Sequence, residues 1–178
     1  GGEAVDLQRA FDLFTQATDG GHPTAPYNLA RMYRDGEAPG GADMTRAVDW
    51  FVTALDRGHA GSAAQAAFII RSMDVAGYDA YDAAAIAARG AALLNADGAA
   101  DAREQLDSMD AATLTGGLQR LMVALGSDLA VDGGDGPGTA AAFDALGTGV
   151  PADAPVIDRI LAAATLYWQQ SPFRVDLY

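Results

Sequence analysis

The sequence RAFDLFTQATDGGH at residues 9–22 recurs 37 residues later as RAVDWFVTALDRGH at residues 46–59. Eight of the fourteen aligned positions are identical, and Arg34 and Arg71 match at the same offset. Repeat proteins carry this kind of self-similarity because each structural unit buries its apolar face against the next unit. The repeat therefore predicts a fold in which similar structural units pack one against the next.

Each copy has the apolar spacing of one face of an α-helix. Asp43 stands where a capping side chain would begin the second copy, and Gly21 and Gly58 stand where glycines end helices. Residues 25–35, between the copies, form another helical stretch that closes in a glycine-rich turn. Each repeat is therefore predicted to be a pair of antiparallel helices.

Further helices are predicted along the rest of the chain. Residues 61–73 would form the first helix of the next pair. Residues 81–94 would form the second helix of that pair, built almost wholly of alanine. Residues 99–109 and 118–125 also have helical spacing, and Pro155 opens a final apolar stripe. Four aromatic residues of the repeats are predicted to lie in the core: Phe14, Tyr33, Trp50 and Phe51.

The helix pairs resemble the Sel-one-like (SLR) branch of the tetratricopeptide-type repeats. The residues that carry the resemblance are Ala25, Leu29-Ala30, Tyr33 and Gly36 in the first helix, and Asp43, Ala47, Trp50, Ala54 and Gly58 after it. Ala30 stands where the family has glycine, and residues 44–46 lack the usual lysine. The resemblance implies an all-α protein with an α-solenoid over residues 1–110. We expect the chain to begin on a second helix, inside a longer array.

The remaining stretch, residues 111–178, resembles the small three-helix peptidoglycan-binding-like module. The motifs that carry the resemblance are Leu118-Gln119, Leu125-Gly126 and DGGDGPGT at residues 132–139. Asp135 replaces an aromatic residue of that family, and Gly147 replaces a glutamine. The resemblance implies a glycan-binding-like loop formed by Asp132, Gly133, Asp135, Gly136, Pro137 and Thr139. Thr139 is also predicted to cap the helix that follows the loop.

Two other interpretations of this loop follow from its glycines and aspartates. The glycines of residues 134–138 resemble part of a dinucleotide-binding loop, but no predicted strand precedes them. Asp128 and Asp132 are spaced like ligands of a calcium loop, but Ala130 and Thr139 stand where that loop needs further ligands. Both interpretations explain less of the sequence than the peptidoglycan-binding-like one.

The composition excludes several classes of function. The 178 residues include 24 acidic residues and 11 arginines with no lysine, which gives a net charge of −13. Nucleic acid is therefore not predicted as a partner, because phosphate binding requires positive charge. The absence of cysteine excludes disulfides, thiolate metal ligands and a cysteine nucleophile. No apolar run is long enough to cross a bilayer, so no membrane insertion is predicted.

No catalytic, cofactor or metal site is predicted, and the chain is not expected to be an enzyme. The carboxylates are too numerous for a catalytic pair to be selected, and no Gly-x-Ser-x-Gly motif is present. His22 and His59 follow the helix-ending glycines of the two copies. They are either a metal or proton site or turn residues copied with the repeat. The second interpretation is favoured because few other ligands accompany them.

The predicted function is that of a non-catalytic scaffold for protein–protein interaction. The resemblance to solenoids implies that the first helices line a concave groove for a protein or peptide partner, here an acidic or extended segment. The residues predicted to face this groove are Tyr27, Asn28, Arg31, Arg34, Gln65 and Arg71. The alternative is that the arginines are ordinary solvated residues paired with the many aspartates.

The two resemblances together imply a bacterial protein and favour the periplasm or cell envelope over the cytoplasm. They also imply peptidoglycan as a second partner, although the departures at Asp135 and Gly147 indicate a degenerate module. A second hypothesis is that the chain is a regulatory or targeting C-terminal region of a larger enzyme. Hydrolases and caspase-like peptidases are examples of enzymes that carry such modules.

Overall fold

The computed structural model describes residues 6–172, and no strand occurs among them. The helices are α1 (Leu7–Asp19), α2 (Ala25–Asp35), α3 (Met44–Asp56), α4 (Gly61–Ser72), α5 (Ala80–Ala91), α6 (Ala99–Asp107), α7 (Ala111–Ala124), α8 (Pro137–Ala145) and α9 (Val156–Gln170). The predicted all-α class is confirmed over this part of the chain.

The two copies of the repeat begin and end in the same way. The carboxylate of Asp6 accepts a hydrogen bond from the backbone N–H three residues later, at 2.9 Å, and Asp43 accepts the equivalent bond at 3.0 Å. Gly21 and Gly58 follow the two helices with φ angles of 82° and 88°. Residues with side chains rarely adopt this left-handed conformation, so the predicted cap and both helix ends are confirmed.

The helices from α1 to α5 pack in chain order, each against the next. Beyond this series, α6 contacts both α4 and α5, while α7 and α9 cover α5 and contact each other. Nine of the twelve residues of α5 are buried, and six of these are alanine. This order is compatible with helix pairs, whereas the solenoid and the three-helix module stay predictions.

Small residues let α5 approach its neighbours closely. A methyl group on Gly90 of α5 would lie 2.3 Å from the Cβ atom of Ala63 on α4. A methyl group on Gly117 of α7 would lie 2.5 Å from the Cβ atom of Ala84 on α5. Both distances are far below a van der Waals contact, so even alanine would force these helices apart.

A buried arginine ties α5 to α3 and α9. Arg89 is 8% exposed, and its guanidinium forms an ion pair with Asp56 at the end of α3. It also lies 4.6 Å from the ring centroid of Tyr167 and 5.3 Å from that of Trp168. The indole N–H of Trp168 donates to the Arg89 carbonyl oxygen at 2.7 Å. Elements from both sides of residue 110 thus share one core.

The aromatic residues predicted to lie in the core are not equally buried. Phe51 and Tyr33 are buried, whereas Phe14 and Trp50 are half-buried. Trp50 lies at the border of the buried face of α3, and Phe51 beside it lies within that face. Phe51 therefore fills the inter-repeat core, and Trp50 packs against its edge.

Phe51→Ala should lower the free energy of unfolding by about 3–5 kcal/mol, because it empties a fully buried site. Phe68→Ala is the matched control, since Phe68 lies on the next helix and is 57% exposed. The control should change the free energy by about 0.5 kcal/mol or less. Urea unfolding followed by circular dichroism measures both, and equal losses would contradict this burial pattern.

Candidate functional site

The residues predicted to bind a partner lie on α2 and α4, which are the first helices of two consecutive helix pairs. Their spacing places Tyr27, Arg31 and Arg34 along one face of α2. Arg31 and Arg71 are exposed, while the others are half-buried. The residues on α2 are Tyr27, Asn28, Arg31 and Arg34, and those on α4 are Gln65 and Arg71.

Arg34 joins α2 to α4. Its Nη1 atom donates to Oε1 of Gln65 at 2.9 Å. Its Nε and Nη2 atoms donate to the two carboxylate oxygens of Asp35, at 2.8 and 3.0 Å. This hydrogen bonding raises the pKa of Arg34 and lowers the pKa of Asp35. The charge of Arg34 is therefore balanced by its neighbour in the chain.

Arg71 forms the corresponding bridge from α4 to α6. Its Nη1 atom donates to Oγ of Ser108 at 2.8 Å and to Oε1 of Gln105 at 3.1 Å. No carboxylate of residues 6–172 lies within ion-pair distance of Arg71 or of Arg31. Neither guanidinium is therefore in an ion pair, although the charge of Arg31 also helps to lower the pKa of Asp35.

The two bridges give α2, α4 and α6 a continuous polar surface. We call this surface the arginine face and define it by Arg31, Arg34, Gln65, Arg71 and Gln105. In each bridge, an arginine near the end of one helix donates to a side-chain amide on a later helix: Arg34 of α2 to α4, and Arg71 of α4 to α6. Gln105 was not predicted from the sequence, because it lies 40 residues after Gln65 instead of 37.

Tyr27 is covered by the loop that follows α3. Its ring stacks on His59, with centroids 4.3 Å apart and an angle of 24° between the planes. The Nδ1 atom of His59 lies 3.0 Å from Oγ of Ser62, and burial lowers the pKa of this histidine. His22 has a similar neighbour, since its Nδ1 atom lies 3.2 Å from Oγ1 of Thr24. Both histidines thus pack in turns.

The described residues contain no group of three or more His, Asp or Glu side chains placed to hold a metal ion. None of the helices within residues 6–172 is long and apolar enough to cross a bilayer.

The glycan-binding-like loop is organised by Gln119, a buried amide on α7. Its Oε1 atom accepts the backbone N–H groups of Asp132 and Gly133, at 3.0 and 2.9 Å. Its Nε2 atom donates to Oδ1 of Asp132 at 2.9 Å, to the Gly134 carbonyl at 3.1 Å and to Oγ1 of Thr139 at 3.1 Å. This single side chain therefore fixes the path of the loop against α7.

The prediction that Thr139 caps the next helix is wrong. Helix α8 begins at Pro137, and Gly136 is its cap residue. Proline is favoured at the first helical position because its missing N–H would have no partner there. Thr139 therefore lies within the first turn, where its hydroxyl donates to the Gly134 carbonyl at 2.8 Å. The hydroxyl faces the buried amide network instead of the helix end.

Asp135, which stands in place of the family's aromatic residue, ties the loop to α9. It forms a two-point ion pair with Arg159, in which Nη1 and Oδ1 lie 2.9 Å apart. Arg159 is only 3% exposed, and hydrogen bonding to it lowers the pKa of Asp135. The polar side chains of the loop are thus used in contacts within the protein.

An apolar groove of about 750 Å³ lies between α5, α6 and the N-terminal half of α9. Six of its thirteen lining residues are alanines, Leu94 and Leu161 also line it, and Arg103 and Asp158 are its charged residues. The groove could not be predicted from the sequence, because residues 91–165 form it only after the chain has folded.

Comparisons with protein-family models, with curated proteins and with solved structures found no match for the chain. The resemblances to SLR repeats and to the peptidoglycan-binding-like module therefore stay predictions.

Gln119→Met should lower the free energy of unfolding by about 2–4 kcal/mol, because two loop N–H groups lose their acceptor. Gln169→Met is the matched control, since Gln169 is exposed on α9. The control should cost about 0.5 kcal/mol or less. Urea unfolding of both variants measures the difference, and a Gln119→Met variant as stable as its control would exclude the amide network.

Acid should weaken the link between Asp135 and Arg159. Because the pKa of Asp135 is lowered in the folded state, the folded protein binds fewer protons than the unfolded chain in this range. The stability from this pair is therefore present above the ordinary pKa of aspartate and is lost as pH falls through the folded pKa.

Asp135→Asn should reduce the loss of unfolding free energy, the acid limb of the stability curve, between about pH 5 and pH 3. Asp144→Asn should leave this loss unchanged. Asp144 is an exposed aspartate on α8 and serves as the control. Urea midpoints measured across this range provide the comparison. An acid limb that is identical in wild type and Asp135→Asn would contradict the assignment.

Proposed function

We propose that this protein is a non-catalytic interaction scaffold that binds an acidic, extended segment of a partner protein on the arginine face. The observation that carries the proposal is the pair of unpaired guanidinium groups of Arg31 and Arg71 on a chain of net charge −13. A surface of opposite charge is an attractive site for carboxylates, because the rest of the protein repels them.

Among the described arginines, Arg9 and Arg57 also form no ion pair, and Arg57 donates instead to the backbone carbonyls of Thr18 and His22. The other described arginines besides Arg34 lie within ion-pair distance of aspartates of the same chain. The pairs are Arg46 with Asp43, Arg89 with Asp56, Arg103 with Asp107, Arg120 with Asp79, and Arg159 with Asp135. With 24 acidic residues available, an exposed arginine that stays unpaired is available to a ligand.

The amides of the arginine face suit an extended ligand. Gln65 lies beside Arg34 and Gln105 lies beside Arg71, and each accepts one hydrogen bond from a guanidinium through its Oε1 atom. Their N–H₂ groups are free to donate to the carbonyl oxygens of a peptide backbone. A segment that crosses α2, α4 and α6 would therefore meet alternating cationic and amide groups.

The elements after residue 110 are proposed to close the core. Helices α7 and α9 cover the alanine-rich α5, which would otherwise expose apolar surface at the end of the helix series. The contacts of Asp135 and Thr139 within the protein favour this structural role over glycan recognition. Peptidoglycan is accordingly not proposed as a ligand.

A random peptide display library provides the test of this function. The wild-type protein should enrich peptides rich in aspartate and glutamate. The double variant Arg31→Glu/Arg71→Glu should bind an enriched peptide at least ten-fold more weakly, which corresponds to about 1.4 kcal/mol. Fluorescence anisotropy with the labelled peptide measures the affinities.

The matched control is Arg46→Glu/Arg120→Glu, which changes the net charge equally at two exposed arginines on α3 and α7, outside the three helices of the arginine face. Its affinity for the same peptide should stay within about two-fold of the wild type. Equal losses in the two double variants would show that only net charge matters and would overturn the proposed site.

A further inference from the structure

The apolar groove between α5, α6 and α9 is formed entirely by residues that the structure describes. Its thirteen lining residues lie between Ala91 and Thr165, so the groove does not depend on either end of the chain. Its volume of about 750 Å³ falls within the range of about 300–1,000 Å³ that is typical of small-molecule sites. The groove is therefore large enough for a small organic ligand.

Alanine creates the space inside the groove. Ala91, Ala92 and Ala99 line it and are buried, whereas Leu94 lines it with 80% of its surface exposed. Leu161 on the α9 side is half-buried. A methyl side chain fills little of the room between packed elements, so alanines leave space that larger side chains would occupy. A ligand in this space would bury the exposed apolar surface of Leu94.

Three of the lining residues are polar, and two of these already have partners. The hydroxyl of Thr165 donates to the carbonyl oxygen of Leu161 in the same helix, at 2.9 Å. The Nε atom of Arg103 donates to Oδ1 of Asp107 at 2.8 Å, within an ion pair. The third, Asp158, is exposed in the first turn of α9, and its carboxylate pairs with no described arginine or histidine. Asp158 therefore offers the groove an unpaired negative charge.

The charges of the groove and of the whole chain favour a cation. Asp107 offsets the positive charge of Arg103 within α6, while nothing among the described residues offsets Asp158. The net charge of −13 also attracts cations and repels anions. The ligand that complements both the walls and the charge of this groove has an apolar body and one positive group.

We propose that the groove binds a small lipophilic amine, with its hydrocarbon part against Leu94 and Leu161 and its ammonium group at Asp158. The ammonium group would donate charge-assisted hydrogen bonds to the carboxylate. The hydrocarbon part would cover apolar surface that is open to water in the free protein. This site does not require the arginine face, which is proposed to take carboxylates.

Octylammonium, octanol and octanoate are the probes, because they share one hydrocarbon chain and differ in the charge of the head group. The full chain is titrated in about 0.15 M salt, which screens charges more than about 8 Å from the ligand. The ¹H–¹³C methyl resonances of Leu94 and Leu161 report occupancy of the groove. We expect them to shift and saturate with octylammonium, at an affinity about five-fold or more above that of octanoate.

Matched variants separate the groove from the overall charge. Asp158→Asn should weaken octylammonium binding about three-fold or more and leave octanol binding unchanged. Asp144→Asn removes an exposed carboxylate from α8 and should change neither affinity. Ala100→Phe places a ring at an exposed lining residue and should prevent binding of all three probes. Ala145→Phe, at an exposed residue of α8, should leave binding unchanged.

Several outcomes would overturn the proposal. One is the absence of saturable shifts at Leu94 and Leu161, and another is an octanoate affinity equal to that of octylammonium. Equal losses in Asp158→Asn and Asp144→Asn would show that only net charge attracts the amine. Unchanged binding to Ala100→Phe would show that the amine binds outside the groove.

Discussion

The close approach of α5 to its neighbours is the constraint on which the rest of this structure depends. Gly90 leaves room for Ala63 of α4, and Gly117 leaves room for Ala84 of α5, so three helices pack at distances that larger side chains forbid. The bulky groups lie around this centre, where Arg89 and Trp168 connect α5 to α3 and α9. The abundant alanine is thus a packing requirement at the middle of the fold.

Local signals made much of the fold predictable. Asp43 and the glycines Gly21 and Gly58 encode helix ends within a few residues of themselves, so the repeat and its helices follow from the sequence. Thr139 was misassigned because a threonine after a loop can cap a helix or turn inward. That choice depends on Gln119, which lies 20 residues away. The apolar groove was not predictable for the same reason, since distant segments form it.

The candidate site was predictable in part. The repeat placed Arg34 and Arg71 at equivalent positions, and helical spacing placed Arg31 on the same face as Arg34. The partners of the arginines were not predictable, because the longer interval between Gln65 and Gln105 breaks the period. The structure adds a difference in charge pairing, since Arg34 is paired with Asp35 while Arg31 and Arg71 are in no ion pair.

The central claim is that carboxylates bind the unpaired arginines of the arginine face. The most direct measurement is the ¹H–¹⁵N correlation spectrum of the arginine Nε–H groups during titration with a short poly-aspartate peptide. The account predicts that the resonances of Arg31 and Arg71 shift and saturate together, while those of the core residues Arg89 and Arg159 stay in place. Saturable shifts confined to other arginines, or no shift at Arg31 and Arg71, would contradict it.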